Sequence, residues 1–278
     1  MTSSGSTTAG RKSHRWLCPV LSLAMAVVIA LLFRISFWTI LLVTLFLTCP
    51  VLAVWSYFMG QRPLPVPMGP TPPTRGLTLN WVAPWYDTVC SIFSLGRLFR
   101  DRTLTIASLR PGDHVIDVGC GTGVLTRRAA DAVGPDGEVW GIDPAPDMIR
   151  IAMQAATQKR NSVRFKVAAI EALPFEDASF DAALASLVIH HLPPDLKLAG
   201  LREVCRVLKP SGRLIVVDFD RPRHWLWRIV LSLVSFHPNM RDHLRGRIVD
   251  MLQNAGFTSV TACGSWMQLL TLWSAQKP

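Results

Sequence analysis

The chain lacks the residue patterns that several common kinds of site require. Its six cysteines form no C-x-x-C pair and have no zinc-like spacing with histidine, so neither a metal centre nor a disulfide framework is predicted. Lysine and arginine outnumber acidic residues by 29 to 19, but no basic stripe with interleaved aromatic residues is present. Nucleic acid is therefore a poor candidate for the partner.

Charge is almost absent from residues 16–59, where Arg34 is the single charged residue. A bilayer takes about 20 apolar residues per helix, and this run is about twice that length. The run therefore predicts two transmembrane helices, residues 16–33 and 37–58, with a short turn at Arg34. The alternative is a single span, with the other segment lying in the membrane interface.

The flanks of this run predict its orientation. Basic residues lie on both sides of it: Arg11, Lys12 and Arg15 before, and Arg62 and Arg75 after. By the positive-inside rule both ends of the hairpin lie in the cytoplasm, and the net charge of +10 suits an anionic cytoplasmic leaflet. A cleavable signal peptide is disfavoured, because Leu32, Phe33 and Arg34 are not a small-residue cleavage site.

Composition divides the rest of the chain. Residues 1–15 are basic, begin with Ser, Thr and Gly, and are predicted to be disordered. Residues 60–84 are rich in proline and predict a stiff, non-helical linker. Residues 85–278 are predicted to form the folded domain.

The most informative motif is V-I-D-V-G-C-G-T-G at residues 115–123, an apolar strand that places Asp117 just before three glycines. The glycines let backbone approach a ligand where a side chain would collide. A dinucleotide-binding turn has the spacing G-x-G-x-x-G, whereas here the third glycine comes one residue early. This arrangement favours a cofactor with a cationic amino-acid end over a pyrophosphate.

Strands and helices alternate after this motif. Residues 138–143, 163–167, 180–185 and 213–219 read as further strands, and residues 124–133, 147–159 and 196–208 read as helices. Such alternation predicts an α/β fold with a parallel sheet covered on both faces. Ligands bind at the carboxyl ends of such strands, so Asp117, Asp143, the Ile170–Glu171 pair and the Ser186–Leu187 pair are expected to share one site.

From about Asn80 to the C-terminus the chain resembles a class I S-adenosylmethionine-dependent methyltransferase of the ubiquinone/menaquinone-biosynthesis type, with a methyltransferase type 11 domain. The matching runs, in order, are D-V-G-C-G-T-G, G-I-D-P-A-P-D-M, E-A-L-P-F-E-D-A-S-F-D, H-H-L and R-V-L-K-P-S-G-R-L, preceded by A-P-W-Y-D. The resemblance implies a Rossmann-like sheet of seven strands. Its last two strands, within residues 258–262 and 268–276, would form an antiparallel hairpin.

The resemblance also assigns residues to the cofactor, S-adenosyl-L-methionine. Asp117 would lie near the ammonium group of its methionine portion, Asp143 would bind the ribose hydroxyls, and the Ile170 backbone would meet the adenine edge. The expected cofactor-binding set is Asp117, Gly119, Cys120, Gly121, Gly123, Asp143, Pro144, Met148, Ile170, Glu171, Ser186 and Leu187. One departure stands out, because Ala169 occupies the position where the family usually has the acid that accepts from the adenine amino group.

Four residues are candidates for the general base or for orienting the acceptor. His190 and His191 follow the fourth strand, Asp218 ends the fifth, and Tyr86 belongs to the segment before the first strand. No single assignment is favoured, since each residue could also be purely structural. His237 and His243 are interpreted as ordinary surface residues, and a catalytic thiol at Cys120 is not expected.

An apolar run, residues 225–236, follows the fifth strand and opens beside Arg221, Arg223 and His224. Residues 221–247 are predicted to form a substrate cap whose tryptophans and arginines suit a membrane interface. An ordinary cap helix packed on the domain is the alternative.

Together these features predict an integral, multi-pass membrane methyltransferase whose catalytic domain lies on the cytoplasmic face. Its acceptor would be small and hydrophobic or lipid-like: a prenylated quinol precursor first, a lipid headgroup second. The alternative from another class is a non-catalytic membrane protein that keeps the fold as a binding or assembly module, which Ala169 supports. The oligomeric state cannot be read from the sequence.

Overall fold

A computed structural model describes residues 70–157, 163–222, 224, 225, 227, 231 and 238–278. All of them lie in the unit Leu64–Pro278. The predicted disordered terminus and both predicted transmembrane helices, residues 16–33 and 37–58, fall outside these ranges. Within the ranges, no helix combines the length and the apolar character needed to cross a membrane.

A seven-stranded sheet forms the centre of the domain. Its strands are β1 (His114–Val118), β2 (Glu138–Asp143), β3 (Val163–Val167), β4 (Phe180–Ser186), β5 (Leu208–Phe219), β6 (Thr258–Trp266) and β7 (Leu270–Gln276). Their order across the sheet is β3-β2-β1-β4-β5-β7-β6. Strands β1 to β5 are parallel, and β7 runs antiparallel to both β5 and β6. The predicted Rossmann-like sheet and its C-terminal hairpin are confirmed.

Helices and two short 3-10 segments surround the sheet. The α-helices with stated bounds are α1 (Tyr86–Ile92), α2 (Arg97–Ala107), α3 (Val124–Val133), α4 (Pro146–Thr157), α5 (Pro194–Val207), α6 (Pro238–Leu244) and α7 (Ile248–Asn254). The 3-10 segments are Asn80–Trp85 and Ile189–His191.

The strands have apolar side chains on both faces, as a parallel sheet covered by helices requires. Adjacent residues of β1, Val115 and Ile116, belong to two different hydrophobic clusters. One cluster includes residues of α5 and α7, and the other includes residues of α2 and α3. Ile116 and Val115 are both fully buried, so the centre of the sheet is shielded from water on both sides.

Several element boundaries differ from the sequence interpretation, among them the start of β5 and the end of the predicted linker. Strand β5 begins at Leu208 rather than at Arg213. Leu208 pairs with Phe180 of β4, and a register shift separates this pair from the regular pairing that starts at Ala182 and Arg213. The last part of the predicted linker, residues 80–84, belongs to the 3-10 helix Asn80–Trp85, which packs against α4. The predicted cap, residues 221–247, is described only in part, and α6 is its helix with stated bounds.

Candidate active site

The glycine turn after β1 begins with a buried carboxyl group. Asp117 is 1% exposed, and its Oδ2 accepts a 2.6 Å hydrogen bond from the Thr126 hydroxyl on α3. Burial raises the pKa of Asp117 to about 7, although the Thr126 bond opposes the rise. The carboxyl group therefore gains from any cationic group placed beside it.

Gly119 and Gly121 present bare backbone at this turn. Both have positive φ, +68° and +54°. A Cβ atom on Gly119 would lie 2.3 Å from Val188 Cγ2, and one on Gly121 would lie 3.3 Å from the Tyr86 ring. A side chain is excluded at Gly119, and at Gly121 it would be crowded and strained, so main chain forms this wall of the site.

The other two positions of the motif have different surroundings. Gly123 precedes α3, and a Cβ there would lie 2.6 Å from the Phe165 ring. Gly123 therefore lets α3 and β3 pack closely, and it is not among the lining residues of the pockets described here. Cys120 does line a pocket, but burial raises its thiol pKa well above the ordinary value, so it is not a reactive thiolate.

Asp143 ends β2 next to this turn. Its Oδ2 accepts from the Gly121 N–H at 2.9 Å and its Oδ1 accepts from the Ala145 N–H at 2.8 Å. Burial raises the pKa of Asp143 to about 6, with the two backbone donors opposing the rise. Each carboxylate oxygen keeps a lone pair, so the group can still accept from a pair of vicinal hydroxyls.

The site pocket is a partly open cavity over the glycine turn. It brings together most of the predicted cofactor-binding residues. Its lining includes Gly119, Gly121, Asp143, Pro144, Met148, Ile170, Glu171 and Leu187, together with Thr74, Gly76, Leu77, Leu79, Tyr86, Val188, His191 and Leu192.

A second cavity, the inner pocket, shares Gly119, Tyr86 and Leu187 with the site pocket. Its lining also includes Asp117, Cys120, Thr122, Arg100 and Ser186. Leu187 has a φ of +60°, which is strained for a leucine, and its N–H donates to the Val217 carbonyl at 2.8 Å. The strain lies where the two pockets meet.

The segment before the 3-10 helix covers the site pocket, which the sequence did not indicate. The Thr74 hydroxyl donates to Glu171 Oε1 at 2.5 Å, and the Leu77 N–H donates to the His191 carbonyl at 3.2 Å. Glu171 Oε2 is buried and has no hydrogen-bond partner among the described residues. The second carboxylate oxygen of this lining residue therefore has unused capacity to accept a hydrogen bond.

Tyr86 and Asp87 begin α1 above the glycine turn. Burial, and then Cys90, raise the pKa of the Tyr86 phenol well above its ordinary value. Asp87 Oδ1 accepts from the Thr122 hydroxyl at 2.9 Å, which holds α1 onto the turn. The structure thus favours Tyr86 as a neutral cover over Gly121 rather than as a base.

His190 and Asp218 form a pair at the carboxyl ends of β4 and β5. The distance from His190 Nδ1 to Asp218 Oδ1 is 2.7 Å. Asp218 is fully buried and also accepts from the backbone N–H groups of Ile189, His190 and Phe219 at 2.8, 3.2 and 2.7 Å. Burial alone would raise its pKa, but His190, His243 and these hydrogen bonds hold the pKa of Asp218 below its usual value. The carboxylate therefore stays ionised.

The interpretation of His243 as a surface residue is wrong. His243 is 0% exposed, its Nδ1–H donates to the Phe219 carbonyl at 3.0 Å, and its Nδ1 lies 4.0 Å from Asp218 Oδ1. Burial lowers the pKa of His243, and the nearby Asp218 carboxylate opposes this shift. The polar sequence around it gave no sign of this burial, which depends on α6 packing against β5.

A third cavity, the outer cleft, opens beside the site pocket and has about 1290 Å³ of empty space. His190 and His191 line it, with Leu77, Phe219, Leu231 and Met240 as its apolar walls. Leu77 and His191 belong to both the site pocket and the outer cleft. A small-molecule site and an apolar cleft thus share a wall beside a histidine–carboxylate pair.

Comparison with known proteins agrees with this geometry. A family profile described as a methyltransferase domain matches residues 115–212. A solved S-adenosylmethionine-dependent methyltransferase from Aquifex aeolicus has 21% identity and a TM-score of 0.53, over 64% of this chain and 89% of that chain. The fold and site together define a class I S-adenosylmethionine-dependent methyltransferase, and the chain belongs to this family.

Two curated relatives are more specific. A ubiquinone/menaquinone biosynthesis C-methyltransferase from Shewanella putrefaciens is 36% identical over 159 residues, 56% of this chain and 62% of the relative. A protein of the same description from Chromobacterium violaceum is 33% identical over 170 residues, 60% of this chain and 67% of the relative. The chain thus spans a little under two thirds of the length of the first of these.

The residues present fit S-adenosylmethionine. Gly119 and Gly121 form a cradle that a Cβ atom would fill, and Asp143 offers two carboxylate oxygens at the end of β2. Ala169 is buried and has no polar side chain to offer, whereas Glu171 lines the site pocket and its Oε2 has no hydrogen-bond partner among the described residues. The site pocket suits the adenosine portion, and the inner pocket, with Asp117, suits the amino-acid portion.

Proposed function

We propose that the chain is a membrane-anchored methyltransferase that methylates a carbon of a prenylated quinol precursor at the cytoplasmic face. The outer cleft is the observation that carries the proposal, because it joins apolar walls to the His190–Asp218 pair beside the site pocket. Apolar walls suit a lipid-like acceptor. The relatives from Shewanella putrefaciens and Chromobacterium violaceum, described as quinone-biosynthesis C-methyltransferases, support the same acceptor class.

The chemistry follows from the orientation of His190. When bound, S-adenosylmethionine supplies a methyl group on a positively charged sulfur. His190 Nδ1 is engaged by Asp218, so Nε2 is the nitrogen that takes the phenolic proton of the acceptor. The ring carbon then gains the methyl group. Its hydrogen leaves to water, and His190 returns the first proton to the phenolic oxygen, so one proton is released overall.

Asp218 acts as a positioning residue for this base. Its three backbone donors fix the carboxylate, and the carboxylate fixes the tautomer and the angle of the His190 ring. Because Asp218 stays ionised, it also stabilises the imidazolium that forms when His190 accepts a proton. The edge-to-face contact of His190 with Phe219, at 4.8 Å between ring centroids, restricts the ring further.

Membrane anchoring rests on the sequence. Residues 16–59 contain one charge, and basic residues flank the run on both sides. An anchor would keep the outer cleft near the bilayer in which a prenylated acceptor is dissolved.

The experiment uses the full chain in lipid discs, methyl-labelled S-adenosylmethionine and a lipid extract that contains demethylated quinol precursors. We expect label in the quinone fraction. His190→Ala should lower kcat roughly 100-fold or more with unchanged cofactor affinity, as expected for loss of a general base. Asp218→Asn should also lower kcat and change its pH profile, while Asp143→Ala should instead weaken cofactor binding in calorimetry.

Other outcomes point elsewhere. Label in a phospholipid amine that His190→Ala does not affect would identify a headgroup acceptor, since an amine needs no base of this kind. A folded chain that binds neither S-adenosylmethionine nor its demethylated product would identify a non-catalytic binding or assembly module.

A further inference from the structure

Four large apolar side chains are exposed together at two adjacent turns. Ile92 and Phe93 end α1, Leu98 lies in the first turn of α2, and Met267 lies between β6 and β7; their exposed fractions are 73%, 64%, 75% and 48%. The Trp266 indole N–H donates to the Ser94 carbonyl at 3.1 Å, which joins the two turns. We call these four side chains the apolar edge.

The apolar edge lies on the same rim of the sheet as the outer cleft. Strand β6 runs parallel to β5, so the β6–β7 turn follows the carboxyl end of the sheet. Leu270, at the start of β7, pairs with Phe219, and the Asp220 N–H donates to the Leu269 carbonyl at 3.3 Å. Phe219 itself lines the outer cleft. One rim therefore carries both the exposed apolar side chains and the opening of the cleft.

Arginines flank the apolar edge. The Arg97 side chain is 83% exposed, and its partner Asp101 is 3.7 Å away and shared with Arg128, so the pair is weak. Arg102 is exposed, and its guanidinium approaches Gly264 on β6. Exposed apolar side chains with guanidinium groups nearby suit the boundary between lipid headgroups and acyl chains.

We propose that the apolar edge docks on the surface of an anionic bilayer and turns the outer cleft toward the lipid. The inference rests on the proposed function, because a lipid-dissolved acceptor needs the cleft at the bilayer surface. Two features favour lipid over a protein partner. Arg97, next to Leu98, and Arg102, beside β6, add exposed positive charge near the edge, and the chain carries an apolar run, residues 16–59, that suits a bilayer.

Amide hydrogen exchange tests the docking without depending on activity. The full chain is placed in lipid discs, one chain per disc, made from zwitterionic lipid or from a zwitterionic–anionic mixture. One near-surface arginine strengthens attraction to an anionic leaflet about fivefold, so exchange in residues 266–269 should slow at least about fivefold in the anionic discs. The triple variant Ile92→Ser, Phe93→Ser, Leu98→Ser should lose this protection.

The matched control removes exposed apolar area elsewhere. Trp81→Ser with Met153→Ser changes two side chains that are 74% and 38% exposed, on the 3-10 helix and on α4, and should keep the protection. Equal exchange in both kinds of disc and in the triple variant would overturn the proposal. Protection that appears in detergent as chain concentration rises would also overturn it, because the partner would then be a second copy.

Activity separates this inference from the proposed function. The triple variant should methylate a membrane-dissolved acceptor more slowly than the unmodified chain, and a short-chain soluble analogue at the same rate. If the unmodified chain methylates neither acceptor while lipid-dependent protection persists, the acceptor assignment fails and the docking stands.

Discussion

Three carboxyl groups at the carboxyl edge of the sheet respond differently to burial. Asp117 and Asp143 have few donors, and burial raises their pKa values to about 7 and about 6. Asp218 has three backbone donors and two neighbouring histidines, which outweigh burial and lower its pKa. Asp117 and Asp143 therefore still have capacity to interact with a ligand, whereas the protein itself supplies the hydrogen-bond and charge partners of Asp218.

The raised pKa of Asp143 predicts a pH-dependent cofactor affinity. Ribose hydroxyls donate to the ionised Asp143 carboxylate, so its contribution to the affinity for S-adenosylhomocysteine should be full above about pH 6 and fall as the pH drops through that value. Calorimetry between about pH 5 and about pH 8 measures this, and Asp143→Asn should remove this step. The free chain should also lose stability as the pH rises from about 4 to about 6, because folding raises this pKa.

Glu171 is expected to read the adenine amino group in place of the acid that Ala169 lacks. Its free Oε2 can accept from an amino group but repels the carbonyl oxygen of hypoxanthine. The chain should therefore bind S-adenosylhomocysteine roughly tenfold more tightly than S-inosylhomocysteine, about one hydrogen bond's worth. Glu171→Gln, which can donate, should narrow or reverse this preference. An unchanged preference in the variant would assign adenine recognition to backbone alone.

At the scale of elements, the glycine turn combines two separate requirements. Gly119 needs a left-handed backbone and also space, since Val188 occupies the place of a side chain. Gly134, at the end of α3, needs only the backbone conformation, because no described atom lies within 4 Å of a Cβ there. Substitutions at the two glycines can therefore separate the cost of backbone strain from the cost of steric overlap.

Alanine at these two glycines should therefore destabilise the chain by different amounts. Gly134→Ala should cost roughly 1–3 kcal/mol from its backbone conformation alone, with φ +72° and ψ −169°. Gly119→Ala adds overlap with Val188 and should cost about 1–3 kcal/mol more, part of which Val188→Ala recovers. Thermal unfolding measures all three variants. Equal losses at both glycines would mean that the turn moves freely to accept a side chain.

The sequence predicts the elements that depend on local pattern. The bounds of β2 and β3 match the prediction, because β2 is mostly apolar and β3, Val-Arg-Phe-Lys-Val, alternates apolar with basic residues. Contacts between distant residues had no local signal. Thr74 meets Glu171 across 97 positions, and the buried His243 lies in a stretch of polar residues. The cofactor site was therefore largely predictable, while its cover and the support behind Asp218 were not.

At the scale of the whole molecule, two kinds of membrane attachment are expected to act together. Apolar spans within residues 16–59 would anchor the chain irreversibly, while the apolar edge and its arginines would bind weakly and depend on salt. The full chain should therefore stay with membranes in alkaline carbonate. A variant that lacks residues 1–60 should bind anionic vesicles at low salt and leave them at high salt. Release of the full chain by carbonate would contradict the predicted spans.

The carbonyl oxygen of His191 accepts from both the Leu77 N–H, at 3.2 Å, and the Asn239 side-chain amide, at 3.1 Å. Leu77 belongs to the segment over the site pocket, and Asn239 belongs to α6 beside the outer cleft. Both segments donate to the same carbonyl oxygen, so a movement of either one changes the surroundings of the other. We therefore expect a compulsory order of binding, in which the cofactor binds first and its demethylated product leaves last. Reopening of these two segments would then limit the rate of turnover.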